Sequence, residues 1–176
     1  MTHSHEQQFL HAYRENADAI FRHCFFRVSD KEMASDLMQE TFLRTWKYLT
    51  NGNTVENIRA LLYRIANNLI VDYYRRRKVV SLDGLLEQAI EPARVDGRTL
   101  MNTQVDRALA VKALDKLPEH YRQVIVMRYI DELSVQEMAS ILAETENAVS
   151  VRLHRALKKC EVILTSHDTH NDPKTS

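Results

Sequence analysis

Residues 131–164 read DELSVQEMASILAETENAVSVRLHRALKKCEVIL, and this stretch decides which fold the chain adopts. Glu137 follows Ser134 at the spacing of a capping box, in which each side chain accepts a hydrogen bond from the backbone amide of the other residue. Apolar residues at helical spacing come next: Met138, Ala139, Ile141 and Leu142. The pattern predicts a short helix that begins at Ser134.

A second helix is predicted after residues 143–144, with Thr145 as its N-cap. Its apolar positions recur every three or four residues: Val149, Leu153, Ala156, Leu157, Cys160 and Leu164. Its polar face carries Ser150, Arg152, His154, Arg155, Lys158 and Lys159. Two short helices, a tight turn and a basic second helix are typical of a helix-turn-helix that enters the DNA major groove. The stretch alone also allows a helical hairpin with a solvated basic face.

The composition favours helices throughout the chain. The 176 residues include only three Gly and three Pro, which lie outside the strongly periodic stretches except for Pro118 at a helix start. No run of alternating β-branched residues predicts a strand. We therefore predict an all-α fold of two small helical domains joined by a flexible linker, the second domain containing the helix-turn-helix.

The formal net charge is zero, so the composition as a whole does not indicate a nucleic-acid partner. Basic residues are instead clustered at 75–78 and on the 152–159 face, and such clusters create the local potential that phosphate contacts need. Cys24 and Cys160 are interpreted as buried small hydrophobes. The eight His show no ligand spacing, so we expect no metal site and no cofactor. A polar amino terminus and the lack of a long apolar run predict no signal peptide and no membrane insertion.

Two helices are predicted in the first part of the chain, at 9–28 and 30–49, with a polar, frayed segment before the first. Ser29 is the predicted N-cap of the second, and Glu32 completes a capping box. The predicted inner stripe consists of Met33, Ala34, Leu37, Met38, Thr41, Phe42 and Leu49. Another face carries Asp36, Gln39, Glu40, Leu43 and Lys47, with Trp46 between the two. That face is either a protein-docking surface or a solvated face with one stray Leu.

A third helix is predicted at 55–78, after the Asn51–Asn53 turn. The predicted buried stripe consists of Ile58, Leu61, Leu62, Ile65, Leu69 and Tyr73. The opposite face carries Arg59, Tyr63, Arg64, Asn67, Asn68, Val71, Asp72 and Arg75. Cations, amides and aromatic rings together suit single-stranded nucleic acid, because the rings stack on bases while cations follow the backbone. The tyrosines are equally consistent with ordinary core or rim positions.

Apolar periodicity lapses at 79–105, where acid exceeds base, and we interpret this segment as the linker. Helices are then predicted at 106–117 and 119–130, with Pro118 at a helix start and a break at Asp131–Glu132.

Four stretches in this order resemble the bacterial sigma factors of the extracytoplasmic-function group. They are ASDLMQETFLRTW at 34–46, LYRIANNL at 62–69 with DYYRRR at 72–77, LDKLPE at 114–119, and the helix-turn-helix at 133–156. The resemblance covers most of the chain except the tails and the linker. It implies a region 2 domain at 5–78 and a region 4 domain at 106–165.

The resemblance implies an alternative sigma factor that binds core RNA polymerase and directs promoter-specific initiation without catalytic residues. The residues implied at the polymerase clamp are Asp36, Gln39, Glu40 and Leu43. Those implied at the melted minus-ten strand are Arg64, Asn67, Asn68, Asp72 and Arg75, with Asn68 at a flipped base. Those implied at the minus-thirty-five duplex are Ser150, Arg152, His154 and Arg155. Promoter DNA, core polymerase and an anti-sigma factor are the expected partners, in the cytoplasm, with no small-molecule substrate.

Two departures from the family pattern lie in the helix-turn-helix. Ala143 stands where the turn commonly has Gly, which predicts a different backbone there. Ser150 stands where many members have Lys or Arg, which predicts an altered promoter preference. A stand-alone helix-turn-helix regulator is the alternative function, but it explains neither the 55–78 helix nor the acidic face at 36–43. An enzyme is disfavoured, because no nucleophile–base pair, phosphate loop or metal spacing is found.

Overall fold

The computed structural model describes residues 2–82 and 111–168, and side chains within 5–78 and 111–165. Residues 83–110 lie outside the described part, and they hold most of the predicted linker and the start of the helix predicted at 106–117. Every regular element in the described ranges is helical, as the sequence predicts. The chain divides into two compact units. Of the described residues, the first unit contains 2–82 and 140–143, and the second contains 111–139 and 144–168.

Three long helices form the first unit: α1 (Thr2–Val28), α2 (Lys31–Thr50) and α3 (Ile58–Leu82). Each packs against the other two around a shared core. The buried apolar residues include Ile20, Cys24, Ala34, Leu37, Phe42, Leu49, Leu62, Ala66 and Ile70. The first helix begins at Thr2, so our prediction of a frayed segment before Phe9 is wrong. The third continues to Leu82, beyond the predicted end at Lys78.

The connection from α1 to α2 is capped differently from our prediction. Ser29 has a φ of 54°, in the left-handed region, and its amide donates to the Phe25 carbonyl at 2.8 Å. It therefore ends α1 and does not begin α2. The N-cap is Asp30, whose carboxylate accepts from the Met33 amide at 2.9 Å. A carboxylate at this position also favours the positive end of the helix dipole.

The third helix begins three residues later than predicted, because Asn57 caps it. The Asn57 side-chain oxygen accepts from the Ala60 amide at 2.9 Å, which satisfies one of the amides left without a partner in a first helical turn. Residues 51–57 therefore form the connection, and Gly52 adopts a φ of 82° within it. Turn chemistry at this point was predicted from Asn51–Asn53 and is confirmed.

The described part of the second unit starts with helical residues 111–116, here called α4, and continues with α5 (Glu119–Ile125). Pro118 is the N-cap of α5, where its missing amide costs no hydrogen bond. The predicted helix at 119–130 does not stay α-helical to its end. Val126–Ile130 is a π-helical segment, in which the Asp131 amide donates to the Val126 carbonyl at 3.0 Å. The predicted break follows, with Glu132 at a φ of 57°.

The last helices are α6 (Val135–Leu142) and α7 (Glu146–Asp168), and α7 packs against α5. Val149, Ala156 and Ile163 are the buried apolar residues of α7, at a spacing of seven. Leu157 and Leu164, two of the predicted apolar positions, are 41% and 42% exposed. Each lies one residue beyond a buried position, which rotates it by about 100° away from the interior.

Candidate nucleic-acid and polymerase interfaces

The predicted polymerase face of α2 is exposed. Asp36 and Gln39 are exposed, and Leu43 is 46% exposed in the middle of the helix. Glu40 forms an ion pair with Arg44 at 2.7 Å, in which both side chains remain largely open to solvent. An exposed pair of this kind adds little to stability, so Glu40 stays accessible to a partner. The four predicted residues thus lie together on one accessible surface, an acidic patch around an apolar side chain.

Trp46, the only Trp, joins α2 to α1. Its ring lies edge-on to Phe9 with centroids 5.2 Å apart, and Phe9 in turn contacts Phe42 at 6.2 Å. Tyr13 extends the same cluster, with its ring centroid 4.8 Å from that of Phe42. Trp46 is only partly buried, so part of its ring packs in the core and part is exposed at the surface.

Two residues predicted on the outer face of α3 are buried instead. The Asn67 side chain is 6% exposed, and its Oδ1 accepts a hydrogen bond from Nη1 of the fully buried Arg27 at 3.2 Å. Tyr63 is 1% exposed and its ring lies edge-on to His23. The prediction that Asn67 and Tyr63 lie on the outer face of α3 is therefore wrong. The physical reason is that α3 packs against both α1 and α2, so its buried arc is wider than one stripe.

The other predicted residues of α3 do lie on its outside. Arg64, Asn68 and Arg75 are exposed, while Asp72 is partly exposed and pairs with Arg75 at 2.9 Å. Val71 adds an apolar contact point to the same side, at 43% exposure. Further along, Arg77 lies over the Tyr73 ring, 5.5 Å from its centroid. This combination of amide, cations and aromatic edges is suited to unpaired bases and their phosphates.

Local capping positions the helices of the helix-turn-helix. The Ser134 amide donates to the Glu137 carboxylate at 2.8 Å, and the Glu137 amide donates to the Ser134 hydroxyl at 3.1 Å. Both bonds of the predicted capping box are thus confirmed. The predicted N-cap of α7 is also confirmed, because the Thr145 hydroxyl accepts from the Ala148 amide at 3.1 Å.

The turn between α6 and α7 depends on a left-handed residue. Ala143 has a φ of 55°, and the next amide, that of Glu144, donates to the Ala139 carbonyl at 3.0 Å. This is the backbone that Gly adopts most readily after a helix. Our prediction that Ala143 changes the turn's backbone is therefore wrong; Ala143 accepts the conformation at a cost in strain.

Arg152 does not lie on the exposed face where it was predicted. Its guanidinium forms an ion pair with Glu144, and it donates a second hydrogen bond to the Gln123 side chain at 3.1 Å. Gln123 lies on α5 and is buried. Arg152 therefore ties the start of α7 to α5, and this fixes the direction in which α7 leaves the turn. Its partners are eight and 29 residues away in sequence.

Ser150, His154 and Arg155 are exposed on α7, as predicted, followed by exposed Lys158 and Lys159. Val151 is a surface residue that the sequence interpretation missed, at 42% exposure among these polar neighbours. Its position two residues after the buried Val149 was the available signal, since that spacing places a side chain on the opposite side of a helix. The part of this exposed face that follows Ser150 is therefore cationic, with Val151 as an apolar side chain among the polar ones.

Comparison with known proteins follows the same division of the chain. Residues 12–79 match the family Sigma-70 region 2, and residues 107–160 match Sigma-70, region 4. The ECF RNA polymerase sigma factor SigW of Bacillus subtilis is 32% identical over 155 residues, which cover 81% of this chain and 82% of SigW. The chain belongs to the extracytoplasmic-function sigma factors. SigL of Mycobacterium tuberculosis, of the same group, is 31% identical to this sigma factor over 86% of each chain.

Solved structures of sigma factors share the fold of this one. The sigma factor RpoE of Bartonella quintana, solved with the anti-sigma factor NepR, superposes with a TM-score of 0.70 at 22% identity, covering 90% of this chain and 98% of that one. CnrH, solved with the cytosolic domain of CnrY, gives 0.68 at 24% identity, covering 92% of this chain and 90% of that one. At these identities the likeness concerns the fold only.

Among the described residues, no three His, Cys, Asp or Glu side chains come together in a way that would hold a metal ion. No helix in residues 2–82 or 111–168 is long and apolar enough to cross a membrane. Cys160 was expected to be buried but is only partly buried. That partial burial raises the pKa of its thiol above the ordinary value.

Proposed function

We propose that this sigma factor confers promoter specificity on bacterial core RNA polymerase through three separate surfaces. The exposed acidic patch of α2 binds polymerase, the outside of α3 captures the melted minus-ten strand, and the exposed face of α7 binds the minus-thirty-five duplex. The observation that supports this best is that one chain of the extracytoplasmic-function family exposes all three surfaces. It acts by binding and has no catalytic residues of its own.

The acidic patch is the part of the proposal that concerns polymerase. Asp36, Gln39, Glu40 and Leu43 combine negative charge with one exposed apolar side chain, which is the composition of a docking surface with a polar rim. The same patch suits an inhibitory partner. RpoE was solved with the anti-sigma factor NepR, and CnrH with the cytosolic domain of CnrY. We propose by analogy that an anti-sigma factor binds the acidic patch of this chain. It would compete with polymerase for the patch in the cytoplasm, where polymerase acts.

On α3 the proposed strand-capture residues are Arg64, Asn68, Asp72 and Arg75, and Asn67 is removed from the set because it is buried. Asn68 is exposed and its side chain makes no hydrogen bond within the described part of the chain. An amide with free donors and an acceptor can read the edge of an extruded base. Capturing that base would offset the unstacking energy of melting.

Run-off transcription tests the proposal directly. The purified chain is mixed with bacterial core polymerase and a library of genomic promoter fragments from the source organism. We expect discrete start sites that are absent with core alone, and their upstream sequences give the consensus. A chain that neither binds core nor redirects initiation, but retards specific duplex by itself, would instead be a stand-alone regulator.

Charge reversal tests the α2 surface. Asp36→Lys with Glu40→Lys is expected to weaken core binding at least tenfold while the helical circular dichroism stays unchanged, because the patch is exposed. The matched control is Glu15→Lys with Asp18→Lys, the same change of charge at two exposed positions of α1. Equal loss in both double variants would mean that net charge, and not this surface, controls the affinity.

A further inference from the structure

Val151 lies at the centre of the exposed face of α7. A helix turns by about 100° at each residue, so Val151 is about 200° from the fully buried Val149 and nearly opposite the interior. Ala156, which is also fully buried, lies within about 20° of Val149 on the same scale. The 42% exposure of Val151 agrees with this geometry. Its methyl groups therefore point away from the domain.

Polar side chains surround Val151 on the surface. Asn147 lies one turn before it, Ser150 beside it, and His154 and Arg155 one turn after it, all exposed. Within the described part of the chain, the side chains of Ser150, His154 and Arg155 make no hydrogen bond or ion pair. Val151 is the sixth residue of α7, within its first two turns. The amino-terminal part of the second helix is the part that contacts base edges in a helix-turn-helix.

The fold does not require valine at this position. A β-branched residue is a weaker helix former than alanine, and an exposed site offers no packing to compensate for that. A single exposed apolar side chain is common on protein surfaces and alone indicates nothing. Here it occupies the centre of the surface that is proposed to enter the major groove. In that setting its chemistry has a specific complement.

We propose that Val151 contacts the C5-methyl group of a thymine in the minus-thirty-five duplex and so selects thymine at one position. The inference rests on the proposed role of α7. Thymine alone among the four bases presents a methyl group in the major groove, and an apolar side chain is its complement. Cytosine places an amino donor at that edge, and valine cannot accept from it. A serine such as Ser150 can hydrogen-bond to any of the base edges, so it would not make this choice.

Uracil substitution isolates the methyl group, because deoxyuridine keeps every hydrogen-bonding atom of thymidine. Holoenzyme made from the full chain and core polymerase is bound to promoter duplexes in which each minus-thirty-five thymine is replaced by uracil in turn. For wild type we expect one replacement to weaken binding about threefold to fivefold, the scale of one buried methyl group. For Val151→Ala we expect no difference between thymine and uracil at that position.

Val162 provides the matched control. It is 61% exposed on the same side of α7, about 20° from Val151, but about 16 Å further along the helix axis. Val162→Ala is the same chemical change on the same helix, and it should keep the wild-type preference for thymine over uracil. Both substitutions favour the helix, so neither should impair folding.

The outcomes separate this inference from the function that it depends on. If the holoenzyme initiates and loses affinity when minus-thirty-five base pairs are exchanged, yet is indifferent to uracil, the Val151 contact is overturned and the function stands. The contact is also overturned if Val151→Ala retains the full preference for thymine. If no start site appears with wild type, the proposed function and the contact both fall.

Discussion

Arg27 on α1 and Asn67 on α3 meet in the interior of the first unit, where Nη1 of Arg27 donates to Oδ1 of Asn67 at 3.2 Å. Arg27 is fully buried and Asn67 nearly so. A buried guanidinium needs acceptors, because leaving a buried charge without hydrogen bonds is costly. Tyr74, also on α3, donates its hydroxyl proton to the Arg27 carbonyl at 2.5 Å. The end of α1 is thus fixed to α3 by polar bonds as well as by apolar packing.

Asn67→Ala should therefore destabilise the first unit by about 2 kcal/mol, since it removes an acceptor from a buried charged donor. The change is expected as a lower midpoint of urea unfolding, followed by circular dichroism. Asn68→Ala, one residue on, should change stability by less than about 0.5 kcal/mol, because its side chain is exposed. Equal midpoints for the two variants would contradict the structural role given to Asn67.

In promoter melting, Asn68 should be the more important of the two asparagines. Asn68→Ala is expected to reduce open-complex formation, detected as permanganate-reactive thymines, more than it reduces binding to closed duplex. The reason is that a residue that captures an extruded base acts only once the strand has been unpaired. Equal loss in the two assays would remove Asn68 from the strand-capture surface.

Ala143 offers a site where a single substitution should stabilise the chain, by relieving backbone strain in the turn between α6 and α7. Its φ of 55° costs an alanine about 1 kcal/mol, and glycine adopts this conformation without that strain. Ala143→Gly should raise the urea midpoint, although the more flexible unfolded chain offsets part of the gain. Ala148→Gly is the control, since residue 148 is also exposed but lies inside α7. It should lower the free energy of unfolding by about 1 kcal/mol, and the urea midpoint with it. A loss at both positions would count against strain at Ala143.

The caps could be predicted from sequence because their bonds are local. Ser134 with Glu137, and Thr145 with Ala148, connect residues three apart, and the order of residue types indicates such bonds directly. The burial of Asn67 could not be predicted in this way. Its partner is 40 residues distant, and α3 has neighbours on two sides, so a single apolar stripe underestimates its buried arc. The cap at Asp30 was missed because two adjacent residues offered similar chemistry.

The same distinction applies to α7. Ser150, His154 and Arg155 followed the helical period and are exposed, as predicted. Arg152 has a charge that suits DNA, but the sequence does not reveal that Glu144 and Gln123 converge on it. The charge of a residue alone therefore does not show whether it contacts DNA or forms an ion pair within the protein. Once the fold is known the two can be distinguished, because a side chain available to DNA is exposed and makes no ion pair within the described residues.

Cys160 should show the chemistry of a partly buried thiol. Burial raises the pKa of its thiol, and the thiolate is the form that reacts with iodoacetamide. Native alkylation should therefore be half-maximal at a higher pH than in the urea-unfolded chain. The raised pKa contributes stability that is present below the unfolded pKa and is lost as pH rises through the folded value. In Cys160→Ala the remaining thiol, that of Cys24, should be alkylated only after the chain unfolds, because Cys24 is fully buried. Equal pH profiles for native and unfolded chains would contradict the shift.

Arg152 and Arg155 form a matched pair for separating structure from DNA contact. Arg152→Ala removes the ion pair to Glu144 and the hydrogen bond to Gln123, so it should destabilise the second unit by about 1 to 2 kcal/mol. Arg155 is exposed and has no such partners within the described residues, so Arg155→Ala should leave the urea midpoint unchanged.

The salt dependence of promoter binding should be changed by Arg155→Ala and not by Arg152→Ala. The binding constant K for promoter DNA falls as the salt concentration rises. Each phosphate contact that is lost makes the slope of log K against log salt concentration less steep by about 1. We expect that reduction for holoenzyme carrying Arg155→Ala, and an unchanged slope for Arg152→Ala at temperatures where it is folded. Because both variants lose one positive charge from the same helix, a general electrostatic effect would lower both slopes alike. A lowered slope for Arg152→Ala alone would mean that its guanidinium leaves Glu144 and contacts phosphate when DNA is bound.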